Sequence, residues 1–282
     1  MPIALIAPRG QLGAALGERL AGDVLRWDRA QLDITDPEAV EETIRLHRPD
    51  VVINAAAYNF VDRAEDEPQD AYAVNALGPK QLAVACARNG ETLVHVSSDY
   101  VFGADTARSV PYCETDEPGP LGEYGRSKLA GERWVQSICP RNFIVRTCGL
   151  YGRAESPGKG NFVKTMLRLA GEGRAIRVVN DQRCTPTSAA DLADAIARLV
   201  ETDRYGLYHA TNAGETTWHE FAAAIFRLTG TPADLRPVSS AEYNTPARRP
   251  AYSVLDCGKL AALGITLPPW EAALARYLAE PS

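Results

Sequence analysis

No apolar run in this chain reaches the roughly 20 residues that a membrane-spanning helix needs. The first residues, Met1-Pro-Ile-Ala-Leu-Ile6, lead straight into a strand-like segment without the basic stretch and cleavage site of a signal peptide. A cytoplasmic protein is therefore expected. The six cysteines are scattered and form no Cys-x-x-Cys pair, which points to free thiols rather than a disulfide framework. Only four histidines occur, none at metal-ligand spacing, so no metal is expected. Asp and Glu outnumber Lys and Arg by 36 to 30, leaving a net charge of -6 with no local basic cluster. That argues against nucleic acid and other polyanions as partners. Neither an internal repeat nor a low-complexity segment is present.

What is there fits an ordinary globular protein. The 282 residues are 45% hydrophobic and 23% charged, enough for one large or two modest domains with a real core. The apolar run Ile3 to Ile6 is followed by Ala7-Pro-Arg-Gly10-Gln-Leu-Gly13 and then by a helical pattern to Leu20. Strand, glycine turn and helix form the setting in which a backbone approaches a dinucleotide pyrophosphate. Gly10, Gln11, Leu12 and Gly13 are the candidate contacts, although Ala7 stands where the first glycine of such a loop belongs. A second strand, Asp23 to Trp27, ends in Asp28-Arg29, with Asp33 just beyond. An acidic residue there suits the adenosine ribose of NAD, and an arginine suits the 2′-phosphate of NADP, so cofactor choice stays open. Asp36 before Pro37 reads as the N-cap of a helix over 38–47.

A third strand, Asp50 to Asn54, runs into Ala55-Ala56-Ala57, small residues that leave room for something flat against the backbone. A helix over 71–89 and a strand over 92–96 follow, the latter carrying Ser97-Ser98-Asp99. A polar, Pro- and Gly-containing loop from Gly103 to Gly122 leads to a helix from Tyr124 to about Ser137 and a strand over 142–147. This alternation predicts a doubly wound parallel sheet, a Rossmann α/β fold, over 1–150. Ligands bind such sheets beyond the carboxyl ends of the strands, where Ala7 to Gly13, Ala55 to Ala57, Ser98 and Thr147 all fall. Residues 151–282 read mainly as a smaller substrate-binding lobe, with a segment near 185–212 returning to the first domain. In it a Gly-rich loop spans 152–160, and helices are expected over 162–170 and 189–200. Strands are expected over 175–179 and 205–209, and the remainder is read as helical or looped. Arg248 and Arg249, between Pro246 and Pro250, form a compact basic turn suited to a phosphate.

Tyr124 and Lys128 lie four apart, on one face of their helix. A neighbouring ammonium lowers a phenol pKa, which makes Tyr124 a usable proton donor, and a hydroxyl on Ser98 could bond a carbonyl oxygen.

With these pieces in place, Asn54-Ala-Ala-Ala-Tyr58, Ser97-Ser-Asp-Tyr-Val-Phe102 and Tyr124-Gly-Arg-Ser-Lys-Leu-Ala-Gly-Glu132 make the chain resemble the extended short-chain dehydrogenase/reductase family. The likeness runs on through Gly158 to Leu169, Asn180-Asp-Gln182, Gly206 to His209 and Thr245 to Pro250, almost the whole chain. It is strongest to the branch that reduces 4-keto-6-deoxy sugar nucleotides. The resemblance implies NADPH or NADH as cofactor and a dTDP-4-keto-6-deoxy sugar as substrate, with dTDP-L-rhamnose as product and a homodimer as a possible assembly. It implies Ser98 on the substrate carbonyl, Tyr124 as proton donor, and Lys128 tuning the tyrosine and holding the nicotinamide ribose. It places Asp99, Tyr100, Asn161 and Arg248 on the substrate side. Three positions depart from the family pattern: Ala7, Gly149 where many relatives carry tryptophan against the sugar, and Tyr252 where asparagine is usual. Another aromatic, Tyr252 or Tyr151, is expected to fill the space beside Gly149, or else water or a bulkier sugar enters it. A dehydratase of the same fold would need an acidic residue after Asp99, where Tyr100 stands. The alternatives are a reductase of a different nucleotide sugar and, in a different class, a non-catalytic dinucleotide-binding subunit like the regulatory subunit of methionine adenosyltransferase.

Overall fold

Alternate residues of the first strand feed two different cores, and that division organises the molecule. The computed structural model describes residues 2–154 and 160–280. In chain order the elements of the first half are β1 (Ile3–Ile6), α1 (Gln11–Arg19), β2 (Val24–Trp27), α2 (Pro37–His47), β3 (Val51–Asn54), α3 (Arg63–Asp66) and α4 (Pro68–Tyr72). A π-turn (Ala73–Leu77) joins α4 to α5 (Gly78–Asn89), followed by β4 (Thr92–Ser98), α6 (Glu123–Ile138) and β5 (Asn142–Thr147). The second half holds α7 (Phe162–Gly171), β6 (Ile176–Val179), β7 (Arg183–Cys184), α8 (Ala189–Leu199), β8 (Gly206–His209), β9 (Thr216–Thr217) and α9 (Trp218–Thr229). It ends with β10 (Leu235–Val238), α10 (Ser240–Tyr243), α11 (Gly258–Ala261) and α12 (Trp270–Ala279).

Six strands form one parallel sheet in the order β2-β1-β3-β4-β5-β8. Ile3 and Leu5 pack with Leu12 and Leu16 of α1 and Leu192 and Ile196 of α8. Ala4 and Ile6 point the other way, towards Val40 and Ile44 of α2, Leu82 of α5 and Val135 of α6. Both faces are thus covered, which is why these strands are apolar throughout rather than alternating. Truncating a side chain such as Leu16, fully buried, would cost about 2–5 kcal/mol. Strand order reverses between β1 and β3, so the turn after β1 lies at the switch point where such sheets open a ligand crevice.

Several expectations needed adjusting. The helix read from 71 begins at Pro68 and passes through the π-turn. β10 was missed: Leu235-Arg-Pro-Val238 has a proline and two exposed positions, yet pairs in parallel with β6. These two strands pack with α7, α9 and α12 around Phe221, Ile225 and Trp270 to form the core of the second half. Gly206–His209 joins the main sheet beside β5. The Gly-rich loop read over 152–160 lies partly outside the described residues, as do Gly158 and Lys159. Asp36 is the N-cap of α2, accepting from the Glu38 and Ala39 amides, worth about 1 kcal/mol.

Candidate active site

The turn after β1 is closed by a contact that only glycine permits. A Cβ on Gly13 would sit 2.1 Å from the Ala7 carbonyl oxygen, so α1 can lie against the strand end only with glycine there. Ala7 itself adopts φ 60, taking the left-handed conformation a glycine would take, at a cost of roughly 1–2 kcal/mol. Gly10 caps α1 without a side-chain hydrogen bond. The amides of Gln11, Leu12 and Gly13 in the first turn therefore face outward for an anion, and the fit to a dinucleotide pyrophosphate is good. The Gln11 side-chain oxygen is buried without a partner. It borders a cavity of about 430 Å³ between α1, α8 and α12, away from the catalytic candidates. Ala55, Ala56 and Ala57 are half-buried in the turn after β3, with the Ala56 amide bonded to Asn54 Oδ1 at 3.1 Å.

At the end of β2 the charges pair off. Arg29 reaches Asp33 at 3.0 Å, and Asp28 binds Arg9 at 2.6 Å. Burial works against ionising Asp33, but bonds from Thr35 and Arg29 win and hold its carboxyl below the usual range. Arg9 went unnoticed in the sequence, although it stands inside the glycine loop. It brings a second exposed cation to the end of β2.

Ser98, Tyr124 and Lys128 converge at the carboxyl ends of β4 and β5. Ser98 is paired in register with Thr147. Its hydroxyl accepts from the Tyr100 amide at 3.2 Å, touches Asp99 Oδ1 at 3.1 Å and lies in hydrogen-bonding reach of the Tyr124 hydroxyl. The Tyr124 hydroxyl also points to Asn59 Oδ1 at 3.5 Å, and its ring meets Tyr100 edge-on at 5.7 Å. Lys128, one turn further along α6, is buried and donates to the Val96 carbonyl at 2.6 Å.

The expected lowering of the Tyr124 pKa is not found. Burial dominates and pushes it up to about 12, while the Lys128 ammonium is turned to the strand backbone. Burial also brings Lys128 down to about 8, with Glu132 opposing. At neutral pH the pair is phenol and ammonium, the state a proton donor requires.

Two side chains expected on the substrate side are bonded within the protein. The Asp99 carboxylate is buried and turned inward, held by Ser253 Oγ at 2.6 Å, by Ser98 and by the Cys148 thiol. Asn161 is also buried and fully occupied: its oxygen caps α7 through the Lys164 amide at 2.9 Å, and its nitrogen bonds Gly152 and Tyr277. Tyr100 remains half-buried beside Tyr124, and Arg248 is exposed, whereas Arg249 is tied to Asp62.

The space beside Gly149 is filled, but not by Tyr252 or Tyr151. Gly149 has φ 49, and a Cβ there would lie 2.8 Å from the ring of Trp218. Tyr151 is instead packed in the second core, and the Tyr252 hydroxyl donates to Glu215 at 3.0 Å. Tyr252 lines a cavity of about 330 Å³ with Arg108, Asn180 and Arg183.

Sequence reasoning also missed the scaffold beneath these residues. Asn75, in the π-turn, is fully buried. It exchanges hydrogen bonds with the Tyr58 backbone at 2.9 and 3.0 Å and donates to Ser127 Oγ at 3.1 Å. It thereby ties the turn after β3 to the helix of Tyr124 and Lys128. The sequence signal was a polar residue inside an apolar helical run just ahead of Gly78-Pro79.

The model of the RmlD substrate binding domain matches residues 1–282. The chain belongs to that family. It is similar to a dTDP-4-dehydrorhamnose reductase of Mycobacterium tuberculosis, at 47% identity over 97% of this chain and 91% of the relative. It is similar to another of that name from Sinorhizobium fredii, at 41% identity over 99% and 97%. Among solved structures it superposes with TM-score 0.94, at 40% identity and 99% coverage of both chains, on a Bacillus anthracis dTDP-4-dehydrorhamnose reductase in complex with NADP. Among the described residues no helix is long and apolar enough to cross a membrane.

Proposed function

We propose that this chain is an NADPH-dependent oxidoreductase that converts dTDP-4-dehydro-L-rhamnose to dTDP-L-rhamnose in the cytoplasm, with NADH accepted as well. The observation that carries the reading is the meeting of Ser98, Tyr124 and Lys128 on the strand ends of a sheet whose switch point carries the α1 first turn. The names of its relatives, at 41% and 47% identity, support the same substrate.

The amides of Gln11, Leu12 and Gly13 would hold the pyrophosphate, with Asp28, Arg9 and Arg29 at the adenosine end and Lys128 at the nicotinamide ribose. NADPH, when bound, supplies the hydride for the ketone carbon. Ser98 donates a hydrogen bond to the ketone oxygen and fixes its position. Tyr124 gives its proton to the alkoxide that forms there. A pKa of about 12 keeps the phenol protonated until that stronger base appears. Arg248, exposed in the turn between Pro246 and Pro250, would meet the substrate diphosphate. Tyr100 closes the sugar side against Tyr124.

The test is the loss of NADPH absorbance with dTDP-4-dehydro-L-rhamnose, with the product identified by chromatography. Formation of dTDP-L-rhamnose in step with NADPH loss is expected. No consumption, despite tight NADPH binding, would overturn the reading.

A further inference from the structure

Asp99 is a buried carboxylate placed one residue from Ser98, with no ion-pair partner among the described residues. Its Oδ2 accepts the Ser253 hydroxyl at 2.6 Å, and its Oδ1 lies 3.1 Å from Ser98 Oγ. Ser253 is itself fixed, its amide bonded to the Arg183 carbonyl at 2.9 Å. Ser98 Oγ already accepts from the Tyr100 amide. A serine hydroxyl has one proton to give, and an ionised Asp99, which can only accept, takes it.

We propose that Asp99 is a positioning residue whose protonation state sets the direction of the Ser98 hydroxyl, a reading that rests on the reductase function above. With Asp99 ionised, Ser98 donates to Oδ1 and presents only a lone pair to the Tyr124 hydroxyl. With a proton on Oδ1, Asp99 donates to Ser98, and the Ser98 proton turns towards the place of the ketone oxygen. Ketone reduction needs the second arrangement, because charge grows on that oxygen. The Ser253 bond to Oδ2 fits both states, since Ser253 donates in each.

The surroundings make the switch usable. Desolvation raises the Asp99 pKa to about 6 against the bonds from Ser253, Cys148 and Ser98. The titratable groups facing it are Tyr124 from α6, Tyr100 from the turn after β4 and Cys148 beyond β5, with Cys184 of β7 behind Cys148. Burial pushes both tyrosines up, while a bond with Cys184 and then burial push Cys148 up. All three stay neutral through the range in which Asp99 titrates. Arg249 acts on Tyr100 and is tied to Asp62.

The test has two arms. In the substrate-free protein, difference infrared spectra against Asp99→Asn isolate the protonated carboxyl band of Asp99 as pH is varied. A band that disappears with a midpoint near 6 is expected. Ser253→Ala and Ser98→Ala each remove a donor to the carboxylate, so each should raise the midpoint by about one pH unit. A midpoint unmoved in Ser98→Ala would overturn the proposal, whatever the enzyme reduces. In the kinetic arm, kcat/KM for reduction should fall as pH rises through about 6 in the parent, and at a higher pH in Ser253→Ala. In Asp99→Asn that step should vanish, because the amide oxygen stays on Ser253 and the amide nitrogen donates permanently to Ser98. Persistence of the step in Asp99→Asn would also overturn it. A parent without turnover would refute the reductase reading and leave the infrared arm to decide on Asp99.

Discussion

The two ends of the crevice are built on different physics. At the proposed adenosine end, Arg9, Arg29, Asp28 and Asp33 form ion pairs whose arginines are more than four-fifths exposed. Such pairs contribute about 0–1 kcal/mol each. At the catalytic end Lys128 and Asp99 are buried, Tyr124 is half-buried, and desolvation moves all three pKa values. Side chains should be replaceable at the first end with graded losses. At the second a replacement should also change the ionisation or hydrogen bonding of its neighbours, because each buried group sets the state of the next.

The largest effect is expected from Tyr124→Phe. Turnover should fall by about 10²–10⁴, with NADPH affinity and melting temperature nearly unchanged, since one hydroxyl is lost and no volume. Near-normal turnover would erase the contrast between the two ends.

Gly149→Trp comes next. The new side chain meets Trp218 and needs φ 49, so substrate binding should be lost, and Trp218→Ala in the same chain should restore part of it. Trp218→Ala alone should widen the range of 4-keto sugars accepted, measured as kcat/KM over a panel. An unchanged panel would remove Trp218 from the sugar site.

Gly13→Ala tests the backbone end. Its Cβ meets the Ala7 carbonyl, so α1 must shift. A loss of about 1–3 kcal/mol in stability and weaker binding of both cofactors are expected from melting and titration. Equal cofactor affinity in parent and variant would mean that the α1 amides do not bind the pyrophosphate.

Lys128 gives a pH signature. Its folded pKa is lowered to about 8, so its charge is present below that pH and lost above it. The kcat/KM of reduction should decline as pH rises through about 8. A flat profile there would separate Lys128 from the chemistry.

The smallest effect is expected from Arg29→Ala, a modest shift of preference towards NADH with NADH use hardly altered, and a larger shift when Arg9→Ala is added. Equal loss of both cofactors would show that neither arginine reads the 2′-phosphate.

The sequence made the first half legible because its signals are local. Apolar strands, the glycine turn and the Asp36-Pro37 cap each follow from a few neighbouring residues, and Tyr124 and Lys128 share a helix face by spacing alone. The missed features depend on contacts far apart in the chain. Ser253 meets Asp99 across 154 positions, Trp218 fills the space at Gly149 from the start of α9, and Asn75 meets Ser127 across 52. The Tyr124 shift was misjudged for the same reason. Spacing reveals a neighbouring charge, but only the folded core reveals the desolvation that outweighs it. The strand at Leu235 was hidden because an edge strand tolerates proline and exposed positions.

The most direct test of the account follows a labelled hydride. NADPH deuterated at the nicotinamide C4 position that is transferred would be incubated with dTDP-4-dehydro-L-rhamnose, and the product read by NMR, in the parent and in Tyr124→Phe. The account predicts deuterium at C4 of dTDP-L-rhamnose in the parent, and the same product formed at least a hundredfold more slowly in the variant, at equal cofactor occupancy. Tight NADPH binding with no deuterium in the sugar would contradict it, and would instead favour the non-catalytic, dinucleotide-binding alternative.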